Sequence, residues 1–115
     1  MDFKTYQKKS RETARYPNLG SNIVYPTLGL VGEAGEVAEK VKKVLRDKNG
    51  LFDEESKNAI KKELGDVLWY ISNLCTELNF NLNDVAKLNL EKLKSRTARG
   101  KISGSGDDRW ILAIT

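Results

Sequence analysis

The chain has 115 residues with a net charge of +4 and 31% charged residues, a length that suits one domain. It has one cysteine, Cys75, and no histidine, which excludes an internal disulfide, Ser-His-Asp and Cys-His catalysis, and imidazole or cysteine-based metal sites. The charge is too small to imply a nucleic-acid partner, no apolar run reaches the ~18 residues of a membrane span, and Met1-Asp2-Phe3-Lys4 lacks a signal-peptide core, so a cytoplasmic protein is expected.

Four segments read as helical. The first spans about Phe3 to Ala14, and a loop with Pro17 and Gly20 follows. The second is expected from about Leu28, beyond Pro26, to Leu45. Its apolar stripe is Leu30, Ala34, Val37, Ala38, Val41, Val44 and Leu45. The breakers Asp47-Lys48-Asn49-Gly50 form a turn, and Asp53 reads as the N-cap of a third helix reaching about Leu78. That helix carries Ile60, Leu64, Val67, Leu68, Ile71, Leu74, Cys75 and Leu78 on one stripe. Trp69 lies opposite, which predicts a second buried face at a subunit interface. Asn83 or Asp84 caps a fourth helix to about Arg96. A Gly-Ser tail follows, ending in the apolar run 110–114, an isolated candidate strand. Strand-like alternation is otherwise nearly absent, so the fold class is all-α, a small helical bundle.

Acid-x-Gly-acid-Val occurs twice, as Glu33-Ala34-Gly35-Glu36-Val37 and Glu63-Leu64-Gly65-Asp66-Val67. At about 100° per residue, Glu33 and Glu63 each border their helix's apolar stripe, and Glu36 and Asp66 lie about 60° further out on the same side. The two pairs stand at equal sequence distances from the Asn49-Gly50 turn. Folding the helices back antiparallel, stripes facing, brings four carboxylates to one height. Two unit charges ~6 Å apart at an effective dielectric of ~20 repel by roughly 3 kcal/mol, so four cost on the order of 15 kcal/mol. That rivals the ~5–15 kcal/mol stability of a whole domain, so the cluster needs protons or cations. All-oxygen ligands suit Mg²⁺, with Mn²⁺ as a substitute. Pairing with lysine at i,i+4 could explain Glu36, through Lys40, and Asp66, through Lys62. Glu33 and Glu63 have no cation within helical reach. Glu39 lies a further ~60° round, close to Lys42 and Lys43. Gly35 and Gly65 take matching offsets and Gly32 precedes Glu33. Each mid-helix glycine costs ~1 kcal/mol relative to alanine, which suggests close approach of a helix or ligand.

The runs Gly29-Leu30-Val31-Gly32-Glu33-Ala34-Gly35-Glu36-Val37-Ala38-Glu39 and Lys62-Glu63-Leu64-Gly65-Asp66-Val67-Leu68 resemble the MazG-like nucleoside triphosphate pyrophosphohydrolases over residues 25 to 109. The resemblance implies a four-to-five-helix bundle of the all-α NTP pyrophosphatase type. Residues 1–115 then form one domain, with core helices over about 28–97 and a tail, 98–115, that is flexible or closes over phosphates. It implies a homo-oligomer, dimer or tetramer, that hydrolyses nucleoside or deoxynucleoside triphosphates between the α- and β-phosphorus. Glu33, Glu36, Glu63 and Asp66 become the metal-binding and catalytic set, with Glu36 preferred as the group that positions or deprotonates water. Where many members carry a further glutamate before the first of these, this chain has Gly32. Asn89, Lys92 and Arg96 match substrate-facing positions of the fourth helix, and their spacing puts them on one face. Arg99, Lys101 and Arg109 match the family's phosphate-closing tail. Base stacking falls to Tyr16, Tyr25 or Trp110. A dUTP/dCTP diphosphatase, a phosphoribosyl-ATP pyrophosphatase and a non-catalytic, metal-stabilised interaction module remain alternatives.

Overall fold

The computed structural model describes residues 1–99. Its elements are α1 (Phe3–Glu12), α2 (Val24–Asp47), α3 (Glu54–Glu77) and α4 (Leu82–Arg99). Among the described residues there is no strand, so the all-α class holds; the candidate strand at 110–114 lies outside them. No helix among the described residues is long and apolar enough to cross a membrane. The chain divides into two compact units, one of Met1–Asn81 and one beginning at Leu82.

Local chemistry accounts for most helix ends. The Asp2 carboxylate accepts from the Thr5 amide at 2.8 Å and starts α1. Asp53 does the same for α3 through the Ser56 amide at 2.8 Å, as its position predicts. That amide bond, helped by Lys48, holds the Asp53 carboxyl at about 2. Three boundaries differ from expectation. First, α2 starts at Val24, not Leu28, with Pro26 inside its first turn. The first-turn amides of a helix have no intrahelical partner, so proline loses nothing there. Asn22 accepts from the Tyr25 amide at 2.9 Å and supplies the cap. Secondly, α1 stops at Glu12, because Thr13 and Ala14 turn inward to bond the Ser10 and Arg11 carbonyls. Thirdly, α4 begins at Leu82, placing Asp84 within its first turn, where its charge still meets the positive helix end. With no glycine or proline before Gly100, that helix continues to Arg99.

In the first unit, α2 and α3 form an antiparallel hairpin. Asn49 and Gly50 take left-handed conformations (φ 51° and 76°), and the Gly50 amide returns to the Val44 carbonyl at 3.1 Å. Lys48 clamps the turn to Asp53, 3.1 Å away. Further along, Gly29 of α2 meets the ring of Tyr70 on α3 so closely that a Cβ at Gly29 would overlap it. The expected close approach therefore falls at Gly29. Gly32, Gly35 and Gly65 face open space.

The helix α1 lies on α3 through polar contacts. Ser10 and Ser72 hydroxyls meet at 2.6 Å, and Gln7 donates to Thr76 and to the Phe80 carbonyl. Trp69 donates to the Thr13 hydroxyl at 2.7 Å and meets Tyr70 edge-on. Thr13, just beyond α1, thus meets part of the face that Trp69 marks. The hairpin stripe is only partly buried: Val44 and Cys75 are enclosed, whereas Leu45 and Leu64 are 62% and 53% exposed. Leu28 and Val31, on the outer face of α2, are 66% and 67% exposed.

Candidate metal centre

Two facing helices build the centre. From α2 comes Glu33; from α3 come Glu63 and Asp66, one turn apart. A carboxylate oxygen from each lies within 4.8 Å of the others. Glu33 and Glu63 are half-buried and Asp66 is exposed. Burial pushes the Glu33 carboxyl up, and the Asp66 charge, a hydrogen bond with Glu63 and the Glu36 charge push the same way. None of the ion pairs among the described residues involves any of the three. Three crowded oxygen donors with no protein cation form a set suited to a hard divalent metal ion.

The structure thus brings together three of the four acids singled out by the motif. Glu36 is exposed and stands outside the trio, close enough to raise Glu33 by its charge. Glu39 pairs with Lys42 at 2.9 Å and is not among the clustered acids. The i,i+4 pairs Glu36–Lys40 and Asp66–Lys62 do not form; both lysines instead line a cavity of about 400 Å³ with Glu55, Asn58, Ala59 and Glu63.

Two phenols border the acids. Burial raises the Tyr70 hydroxyl first, followed by Tyr25 and the Glu33 charge, with Asp66 adding a smaller push. Tyr6, reaching across from α1, is raised by burial and by Asp66. The motif did not include them. Tyr70 was traceable, being four residues beyond Asp66 and so on the same helix face. Tyr6 gives no local signal, since only tertiary packing brings it close.

Asn89, Lys92 and Arg96 lie on α4 in the second unit, respectively exposed, half-buried and buried. Arg99 ends that helix, and Lys101, Arg109 and Trp110 lie outside the described residues.

Paired acid motifs on an antiparallel helical hairpin define a class, and comparison with known families agrees. Residues 26–100 match the model of the MazG nucleotide pyrophosphohydrolase domain, and the chain belongs to that family. It is also similar to "Gene 37 protein" of Mycobacterium phage L5, at 49% identity over 109 residues, covering 90% of this chain and 96% of that protein. No solved structure matches it.

Proposed function

We propose that this protein hydrolyses nucleoside or deoxynucleoside triphosphates between the α- and β-phosphorus, releasing the monophosphate and pyrophosphate. The observation that carries the reading is the meeting of Glu33 with Glu63 and Asp66 across the hairpin in a chain of the MazG family. These three carboxylates would hold Mg²⁺, or Mn²⁺ in its place, with Glu36 adjoining them. A divalent ion there supplies charge for the phosphate oxygens and a bound water of lowered pKa. The chain's own residues do the rest. Glu36, in no ion pair among the described residues and open to solvent, takes the proton of the attacking water. Glu33 and Glu63, half-buried, keep the ligand oxygens fixed. Asn89, Lys92, Arg96, Arg99, Lys101 and Arg109 are proposed to bind the substrate.

The active form is a homo-oligomer. Leu28, Val31, Leu45 and Leu64 are exposed large apolar side chains on one hairpin, and a second copy is the natural cover for them. Light scattering on the purified chain should give a dimer or tetramer; a monomer at micromolar concentration rejects this part. The reading places its work in the cytoplasm, among the nucleotide pools.

The deciding experiment measures pyrophosphate release from each common NTP and dNTP with Mg²⁺, with Mn²⁺ and with EDTA. Release from at least one triphosphate, abolished by EDTA, is expected. No release from any of them, with a metal-dependent rise in melting temperature, would leave a non-catalytic metal-stabilised module. A strong preference for dUTP or dCTP would narrow the substrate to those pyrimidine nucleotides.

A further inference from the structure

The acid trio opens on one side into a cleft between α2 and α3. Glu63 belongs to both: it contributes an oxygen to the trio and lines the cavity of about 400 Å³ with Lys40, Glu55, Asn58, Ala59 and Lys62. The cleft runs from Glu63 to Ala59, one helical turn (~5.4 Å), toward the hairpin turn. A second cavity, of about 190 Å³, continues in that direction and shares Lys40, Glu55 and Ala59 with the first while adding Lys43.

The lysines are the unusual part. Each has a carboxylate on its own helix at the spacing that favours pairing, Glu36 for Lys40 and Asp66 for Lys62. Neither pairs with it, and neither takes part in any ion pair among the described residues. Two ammonium groups from opposite helices instead share one cleft with two acids, Glu55 and Glu63, and once Glu63 is committed to a metal ion only Glu55 remains to offset them. Two unpaired ammonium groups in one cleft repel each other, and a multiply charged anion relieves that repulsion. The Asn58 amide adds a neutral donor.

We infer that this cleft binds the pyrophosphate half of the substrate, the β- and γ-phosphates, with Lys40 and Lys62 as its cationic walls. The inference rests on the proposed hydrolysis and adds to it a direction. The nucleoside lies on the far side of the acid trio, and the leaving group departs toward the hairpin turn. Spreading positive charge along the leaving oxygens stabilises the charge that develops there as the bond breaks.

The test uses the full chain and the variants Lys40→Gln, Lys62→Gln and their double. Lys9→Gln, on the exposed face of α1, is a charge-matched control. Binding of inorganic pyrophosphate in Mg²⁺ is followed by calorimetry, and hydrolysis by product inhibition with pyrophosphate and with the nucleoside monophosphate. The double variant should weaken pyrophosphate binding at least about tenfold, leave monophosphate inhibition unchanged and keep its helix content, whereas Lys9→Gln behaves as wild type. Lys40→Arg with Lys62→Arg should restore most of the binding. Pyrophosphate binding that is equal in the double variant and the wild type, or absent from both, overturns the cleft assignment even if hydrolysis proceeds. Lysine-dependent binding of pyrophosphate by a chain that hydrolyses no triphosphate supports the cleft and overturns the hydrolytic reading instead.

Discussion

A pair of carboxylates, Glu63 and Asp66, and a single one, Glu77, sit on the same helix about three to four turns apart, and α3 treats them in opposite ways. At its C-terminal end Glu77 is buried, yet its carboxyl is held at about 2. Burial alone would raise it. The amide of Asn22 at 2.7 Å, the hydroxyl of Tyr16 at 2.7 Å, the amide of Gly20 at 2.9 Å and the Arg11 guanidinium at 2.7 Å outweigh that penalty. In mid-helix, Glu63 and Asp66 face Glu33 with no ion pair to any of the three among the described residues, and Glu33 is pushed up. A carboxylate that the fold has fully satisfied is a fastening; carboxylates that the fold has crowded and left unsatisfied await something from outside. Burial by itself does not separate the two cases, since the fastening is the more buried.

The sharpest way to break this contrast is to remove one charge from each group. Glu63→Gln should abolish pyrophosphate release, a loss of at least about 100-fold, with the circular dichroism of the helices unchanged. Retained turnover would mean the crowded acids are not the metal set. Glu77→Gln should act on stability. The Arg11 charge loses its partner inside a polar network, so denaturant unfolding should show a loss of about 3 kcal/mol. A neutral effect would show that the surrounding donors find water easily.

The same network fixes a pH dependence. The folded Glu77 carboxyl lies at about 2 against an ordinary value of 4.5. A depressed folded value contributes stability that is complete above the unfolded value and is lost as pH falls toward the folded one. The melting temperature should therefore drop between about pH 5 and pH 2, and Glu77→Gln should flatten that drop. In the crowded group the lever is metal. Mg²⁺ or Mn²⁺ should raise the wild-type melting temperature at neutral pH by a few degrees, and Glu33→Gln should reduce the rise. An equal rise in the variant would place the ion elsewhere. The smallest effects concern the glycines. Gly29→Ala drives a methyl into Tyr70 and should destabilise by about 1–3 kcal/mol. Gly35→Ala meets open space and should gain up to ~1 kcal/mol from helix propensity.

The hairpin and its acid trio were legible because their signals are local. Asp53 caps α3 through a residue three positions on, and the repeated motif flanks a turn whose Asn-Gly pair takes the left-handed backbone that those residues tolerate. Glu77 was missed, although the reasoning applied to Glu33 and Glu63 would have found it. Its neighbours at three and four residues, Asn73, Leu74, Phe80 and Asn81, include no cation. Its partners come from α1 and the loop behind it, beyond the reach of helical periodicity. The contact of Trp69 with Thr13 was hidden for the same reason, since pattern alone does not bring Thr13 to α3. Pro26 marked a boundary too strictly, because proline forbids only the interior of a helix.

Two of the four groups gripping Glu77 are main-chain amides, those of Gly20 and Asn22. The grip is therefore indifferent to the side chains that the segment between them displays. Ser21 lies between Gly20 and Asn22 and Leu19 just before them, and both are exposed. A fluorophore or spin label attached at either position would ride on an anchored backbone and report tumbling of the Met1–Asn81 unit rather than wagging of a loop.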